Sequence, residues 1–394
     1  MKKEALKPNK NIEIFKSFKE GHYEMPTEVI FGRGVLNEVA NLLLVRKSQK
    51  IVLVFGDHFK NSYFFNRLSS SLNKLKKETV IYPEKIIKSD IKTVNNLTEF
   101  CRHKNFDIIL AIGGGTIIDT AKCAAALSQN EGLVEDYIIK KTKVLKNKSL
   151  NLIVLPTTAG TGSEVTPWAT VWDTKQKKKY SLTSPFMFPK LAVIDPQLTD
   201  SLPPTITAET GFDALAQAIE SYWSVKHNPI SDEFALKAIK LAMETLEEVV
   251  NHPDKNLRDK MAKASMLTGL AFSNTQTTIC HSVSYPMTAH FNIAHGQAVA
   301  VTLPSFIEYN LPVMEKKRRK TILRVLKSNS EKEAAKKVTS LIKNIGLMTK
   351  LSELGIRKED INLIVREGFH PDRVGNTQKI PSSMRLRKML EEIL

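Results

Sequence analysis

The chain has 394 residues, and 58 Lys and Arg against 41 Asp and Glu leave a formal charge of +17. That length predicts two or three domains, and 42% hydrophobic with 25% charged residues excludes a disordered, collagen-like or disulfide-stapled chain. Cys101, Cys123 and Cys280 lie too far apart for a local CxxC metal site, and no run approaches the roughly 18 apolar residues of a membrane span, so a cytoplasmic protein is expected.

In chain order, residues 1–20 read as a basic N-terminal extension. Short β-branched runs then alternate with helical patterns, at 28–31 (EVIF), 51–55 (IVLVF), 79–82 (TVIY), 107–112 (DIILAI), 152–155 (LIVL) and 191–194 (LAVI). This alternation predicts a parallel α/β sheet, and runs that are apolar without alternation predict strands covered on both faces. From Ala208 onward the helical period dominates, as in 234–250 (FALKAIKLAMETLEEVV) and 332–346 (KEAAKKVTSLIKNIG), with no convincing strand. A nucleotide-binding α/β domain over 21–196 is therefore expected to precede an all-helical domain over 197–394. The positive charge falls in short runs, such as Lys175 to Lys179 and Lys316 to Lys320, rather than on one arm. It reads as solvated surface and not as a nucleic-acid face, although a positive field also attracts small anions.

Two loops carry the nucleotide signal. AIGGGTIIDTAK (111–122) sets Gly113, Gly114 and Gly115 after an apolar run and before a helical pattern, where bare backbone can approach a pyrophosphate at a helix N-terminus. A tight strand-to-helix turn alone would explain that triplet. The second loop, PTTAGTGSE (156–164), follows another apolar run and offers the hydroxyls of Thr157, Thr158, Thr161 and Ser163, suited to a groove at the carboxyl edge of a parallel sheet. In the helical half, GFDALAQAIE (211–220) places Asp213 and Gln217 at i and i+4, on one helix face. HSVSYPMTAHFNIAHG (281–296) adds His281, His290 and His295. A lone helical His is more often packed or exposed, but neutral imidazoles with a carboxylate suit zinc or iron(II).

With FGRG (31–34), AVIDPQLT (192–199) and SYWS (221–224), these motifs make residues 22–394 resemble the iron-containing (group III) alcohol dehydrogenase family. VTPWATVWD, KKYSL, HSVSYPMT and HGQAVAVTLP are similar to its phosphonoacetaldehyde reductase branch. The resemblance implies a Rossmann-like domain followed by a helical one, in a dehydroquinate synthase-like architecture. It also implies NAD(P)H, one divalent metal (Fe2+ or Zn2+) and a homo-oligomer, expected to be a dimer. The activity implied is reduction of a small anionic aldehyde, phosphonoacetaldehyde to 2-hydroxyethylphosphonate. The alternatives are a short-chain alcohol or lactaldehyde dehydrogenase, a dehydroquinate-synthase-like lyase, or a non-catalytic metal or nucleotide sensor.

Carried over by residue, the resemblance assigns the pyrophosphate to Gly113, Gly114 and Gly115 and the cofactor groove to Thr157, Thr158 and Thr161, with Thr116, Asp119 and Ser163 also cofactor-binding. Lys179, in a K-x-x-I-x-x-P spacing with Leu182 for Ile and ending at Pro185, would reach the nicotinamide ribose. Asp213, His281 and His295 occupy three metal-ligand positions. The fourth, usually His, is Gln217, a weaker donor that would lower metal affinity. Tyr285 stands where a His near the substrate is common, and its hydroxyl is a hydrogen-bond donor but a poor base, with a reference pKa of about 10. At the end of the second strand either Gly56 or Asp57 takes the place of the acid that binds the ribose 2′-hydroxyl. Spacing favours Gly56, so NADPH should be accepted at least as well as NADH. Arg373 and Asn376, in HPDRVGNTQK (370–379), are candidate contacts for the anionic substrate; a surface Arg pairing with Asp372 or a helix end is the plainer alternative.

Overall fold

In the N-terminal half, each apolar run becomes a strand whose alternate side chains enter opposite cores. Val52, Val54, Ile109, Ala111 and Val154 pack on one face of the sheet, while Ile51, Leu53, Ile108, Leu110, Ile112 and Leu155 pack on the other. The computed structural model describes residues 22–394 apart from 43, 44, 46 and 61, so the expected N-terminal extension lies outside the described residues. Its strands are β1 (Glu28–Phe31), β2 (Lys50–Phe55), β3 (Glu78–Ile81), β4 (Ile108–Gly113), β5 (Asn151–Pro156), β6 (Trp168–Asp173), β7 (Lys178–Thr183) and β8 (Leu191–Ile194). Six of them form one parallel sheet in the order β1-β8-β5-β4-β2-β3, and these are the six runs read from the sequence, two of them shifted by one residue. Helices α1 (Tyr63–Lys74), α2 (Ile91–Lys104) and α3 (Gly115–Leu127) link β2 to β5. Ser62 and Asp90 cap the first two by accepting from the N–H groups of Phe65 and Thr93.

The antiparallel hairpin β6–β7 was not among the expected strands. It pairs Trp172 with Lys179 and Thr170 with Ser181, and packs beside α3 outside the main sheet. Its register brings Lys179 and Ser181 to the cleft.

After Ile194 the described chain is helical. The helices that frame the cleft are α4 (Pro204–Trp223), α5 (Pro229–Asn251), α6 (Lys255–Thr275), α7 (Ile279–Phe291) and α8 (His295–Asn310), and shorter helices follow to Glu392. Helix α4 is apolar on nearly all sides and accordingly lies at the centre, in contact with α5, α6 and α8. None of the described helices is long and apolar enough to cross a membrane.

Candidate active site

At the carboxyl edge of the sheet, β4 ends in Gly113 and the 13-residue α3 begins at Gly115. A Cβ on Gly115 would lie 2.8 Å from Thr161 Cγ2 and one on Gly114 3.3 Å from Thr158 Cγ2, so bare backbone lets the two loops nest. On one side of this turn is a cavity of about 450 Å³ that reaches Gly56, Phe59 and Thr157; on the other is one of about 370 Å³. Gly114 and Thr158 line both. A helix N-terminus between two adjoining hollows is suited to a pyrophosphate, which its N–H groups and dipole favour.

The second loop is held from α3. Lys122, 1% exposed, donates to the carbonyls of Ser163 and Trp168 and to the Thr166 hydroxyl. One turn earlier, Asp119 accepts from the Ser163 hydroxyl and from the Thr170 N–H. Both Asp119 oxygens and the Ser163 hydroxyl are thus engaged within the chain, and Asp119 and Ser163 line the smaller cavity together with Thr116 and Thr161. Gly56 lines the larger one, while the exposed Asp57 pairs with Lys85 and is not part of its lining.

Opposite these loops, α4 aligns Asp213, Gln217 and Glu220 along one face by i, i+4 and i+7 spacing. His281 comes from the first turn of α7 and His295 opens α8. Any Cβ at Gly296 would collide with the Glu209 carbonyl of α4, so a glycine there lets α8 start close enough to bring His295 to Asp213. Atoms of Asp213, His281 and His295 that are able to ligate a metal all lie within 4.8 Å of one another. Nε2 of His281 is 3.1 Å from Asp213 Oδ1, and Nε2 of His295 is 3.9 Å from the same oxygen. Gln217 donates Nε2–H to Asp213 Oδ2 at 2.9 Å, leaving its own Oε1 buried without a hydrogen-bond partner. A buried orphan acceptor is costly. Such an oxygen, next to a carboxylate and two imidazoles, would suit a divalent cation.

The imidazoles are oriented from behind. Ser284 donates its hydroxyl hydrogen to the His281 carbonyl at 2.7 Å and so faces His295 Nδ1, 3.3 Å away, as an acceptor. That assignment puts the ring hydrogen on Nδ1 and a lone pair on Nε2. Burial brings the His295 pKa down to about 3, with Lys179 and His281 adding to the effect and Asp213 opposing it, so the ring is neutral. His281 Nδ1 bonds the fully buried Glu220, which also accepts from the N–H groups of Thr278, Cys280 and His281 and from the Thr278 hydroxyl. Burial works against the His281 charge, but Glu220 and Asp213 raise its pKa to about 10. Burial likewise pushes Glu220 upward, yet His281 and these donors hold it below the usual carboxylate range. Sequence reading passed over Glu220, although its spacing from Asp213 was available. His290 pairs instead with Glu367 at 2.7 Å and takes no part in the cluster.

A third wall is cationic. Tyr285, one turn beyond His281, stacks on His295 with ring centroids 6.2 Å apart. Lys179 Nζ lies 4.0 Å from the Tyr285 ring centroid, and Arg373 Nε–H donates to the Tyr285 hydroxyl at 3.2 Å. Burial pushes the phenol up, but the charges of Lys179, Arg373 and His281 outweigh it and bring the pKa down to about 8. This revises the ordinary value expected from sequence. Arg373 is 6% exposed, with Nη2 3.4 Å from the Ser181 hydroxyl. Among the described residues no carboxylate lies within 4 Å of Arg373 or Lys179, so Arg373 is not a surface partner of the Asp372 side chain. Asn376 spends its amide on the Asp372 and Thr277 carbonyls and on Gln276 Oε1, holding the turn that carries Arg373.

Comparison with known proteins gives matches over nearly the whole chain. The family described as iron-containing alcohol dehydrogenase matches residues 26–196, and the C-terminal region of the Fe-containing alcohol dehydrogenase family matches residues 207–393. A long-chain-alcohol dehydrogenase of Geobacillus thermodenitrificans is 33% identical over 360 residues, 89% of this chain and 90% of that one. A sulfoacetaldehyde reductase of Bilophila wadsworthia is 28% identical, over 94% of this chain and 98% of its own. Among solved structures, sulfoacetaldehyde reductase from Bifidobacterium kashiwanohense in complex with NAD+ superposes with a TM-score of 0.88 at 32% identity, covering 94% of this chain and 98% of that one.

Proposed function

The chain belongs to the iron-containing alcohol dehydrogenase family, and we propose that it reduces a short aldehyde with an acidic head group, phosphonoacetaldehyde or its sulfonate counterpart, to the primary alcohol. Family membership makes it an NAD(P)-dependent, metal-containing oxidoreductase, which leaves the lyase and sensor alternatives without support. The observation that carries the choice of substrate is Arg373, a buried guanidinium without a carboxylate partner at the edge of the metal-ligand cluster. Burying an unpaired charge is costly unless a ligand supplies the counter-charge, and a guanidinium binds phosphonate or sulfonate through paired hydrogen bonds. The two sulfoacetaldehyde reductases similar to this chain act on such an aldehyde.

When bound, reduced nicotinamide supplies the hydride and the divalent cation supplies Lewis acidity toward the aldehyde oxygen. Asp213, Gln217, His281 and His295 would hold the cation, and Glu220 and Ser284 aim the imidazoles. The glycine turn and the N-terminus of α3 would hold the pyrophosphate, with Lys179 on the ribose side. Arg373 orients the substrate by its head group. Tyr285, charge-tuned and hydrogen-bonded by Arg373, supplies the proton that the nascent alcohol oxygen takes up. A cytoplasmic enzyme is consistent with its free cysteines.

Steady-state kinetics test the reading. Replacing Arg373 with Ala should raise the KM for phosphonoacetaldehyde and sulfoacetaldehyde roughly 10- to 100-fold, the scale of a hydrogen bond to a charged group, and that for propanal far less. Wild-type protein that prefers propanal would exclude the acid-headed substrate. Equal losses on both kinds of aldehyde would remove Arg373 from substrate recognition.

A further inference from the structure

Arg373 also borders a second cavity, of about 690 Å³, that the proposed chemistry leaves unused. Among the described residues it is the one shared by that cavity and the hollow lined by Asp213, His281 and His295. The cavity is walled by Lys226, Gln276, Ser181 and Asn376, with Lys143 also in its lining. Among the described residues, its only acidic lining residue is Asp372, whose side chain is 64% exposed.

Lys226 lies just past the end of α4. Among the described residues it has no carboxylate within 4 Å, and its Nζ donates to Gln276 Oε1 at 3.0 Å. Lys226 is an exposed residue; partial desolvation at the cavity wall lowers its pKa and the Arg373 charge lowers it further, with Asp372 opposing, so the two cations act in one field. Gln276 is itself unusual. Its backbone sits at φ 61° and ψ 174°, a region that residues with a side chain rarely occupy and that persists where the surroundings enforce it. From there its amide oxygen accepts from both Lys226 and Asn376, which fixes the ammonium at the cavity wall. Lys226 and Arg373 repel each other, and the exposed Asp372 carboxylate offsets this only in part. An anion between them removes the penalty.

We propose that this cavity is the entry vestibule for the acid-headed aldehyde, and that Lys226, fixed by Gln276, is a second anion-recognition group that passes the phosphonate or sulfonate to Arg373. The inference rests on the acid-headed substrate proposed above and adds a route and a specificity residue to it. A vestibule of one sign concentrates substrate of the other, and salt screens the effect.

The experiment compares wild-type, Lys226→Gln and Lys226→Arg holoenzymes on phosphonoacetaldehyde, sulfoacetaldehyde and propanal, at low and high sodium chloride. Lys226→Gln should raise the KM for the two anionic aldehydes about tenfold and that for propanal much less, as expected for loss of one charged hydrogen-bond donor. Lys226→Arg should restore most of the loss. Salt should raise the wild-type KM for the anionic aldehydes and act more weakly on Lys226→Gln. The dianionic phosphonate should respond more than the sulfonate. A Lys226→Gln enzyme within about twofold of wild type on the anionic aldehydes, a range too small to reflect such a bond, overturns the vestibule while leaving the substrate reading intact. Equal losses on all three aldehydes overturn it as well. Wild-type enzyme that does not discriminate between anionic and neutral aldehydes overturns the substrate reading and this inference together.

Discussion

The helical wall of the cleft and the α/β wall reach their geometry by different means. On the helical side one periodicity does most of the placement: Asp213, Gln217 and Glu220 share a face of α4, and the first turns of α7 and α8 supply His281 and His295 against it. On the α/β side nothing comparable repeats. The glycine turn, the threonine loop and the β6–β7 hairpin are held by long-range bonds, such as Lys122 to Ser163 and Asp119 to Thr170. A rigid helix sets the spacing of the Asp213, Gln217 and Glu220 side chains, while the loops bring backbone and hydroxyls to the cleft edge. Tyr285 belongs to the first wall by sequence, yet its acidity is set largely by Lys179 from the second.

That seam carries the largest expected effect. A proton donor must be protonated, and the Tyr285 pKa is lowered to about 8. Aldehyde reduction should therefore be fastest below pH 8 and decline as pH rises through that value. Tyr285→Phe should slow reduction about a hundredfold, at the low end for general acid catalysis, and abolish the decline. A phenylalanine enzyme with wild-type rate and pH profile would exclude Tyr285 as the proton source.

The next test bears on the helical wall alone. If Glu220 serves to aim His281, Glu220→Gln should weaken metal binding about 10- to 100-fold, measured by competition with a chelator, while circular dichroism shows the helices retained. Unchanged affinity would reduce Glu220 to a cap on the first turn of α7, where it accepts three backbone N–H groups.

The same contrast decides what the sequence could disclose. Strand runs and i, i+4 donors are local periodicities, so the six strands of the sheet and the pair Asp213 and Gln217 were legible in it. The hairpin was not, because KKYSLT lies outside the main sheet and keeps most of its side chains partly exposed. The role of Glu220 appears only once α7 is docked on α4. Arg373 was a candidate, but its burial depends on a contact with Ser181, 192 residues away, and Lys226 and Gln276 meet across 50. No spacing rule reaches that far.

The smallest expected effect concerns cofactor choice on the α/β wall. In dinucleotide folds an acidic side chain near the end of the second strand accepts from the ribose 2′-hydroxyl and repels a 2′-phosphate. Here β2 ends at Phe55, and Gly56 donates its N–H to Ile112 and lines the larger cavity without a side chain. Asp57 faces Lys85, and none of the described residues that line that cavity is acidic. NADPH should therefore be used at least as well as NADH. Gly56 lacks the positive φ that only glycine tolerates, and a Cβ there would touch only Ile117 Cγ1 at 3.8 Å, so Gly56→Asp should fold. Its carboxylate should cut kcat/KM for NADPH by about fivefold or more, corresponding to a like-charge contact of roughly 1 kcal/mol in a solvent-exposed groove, while NADH is retained or improved. Asp57→Ala should alter neither. A wild-type enzyme with a strong NADH preference, or a Gly56→Asp enzyme unchanged toward both cofactors, would show that the 2′ position is read elsewhere in the cleft.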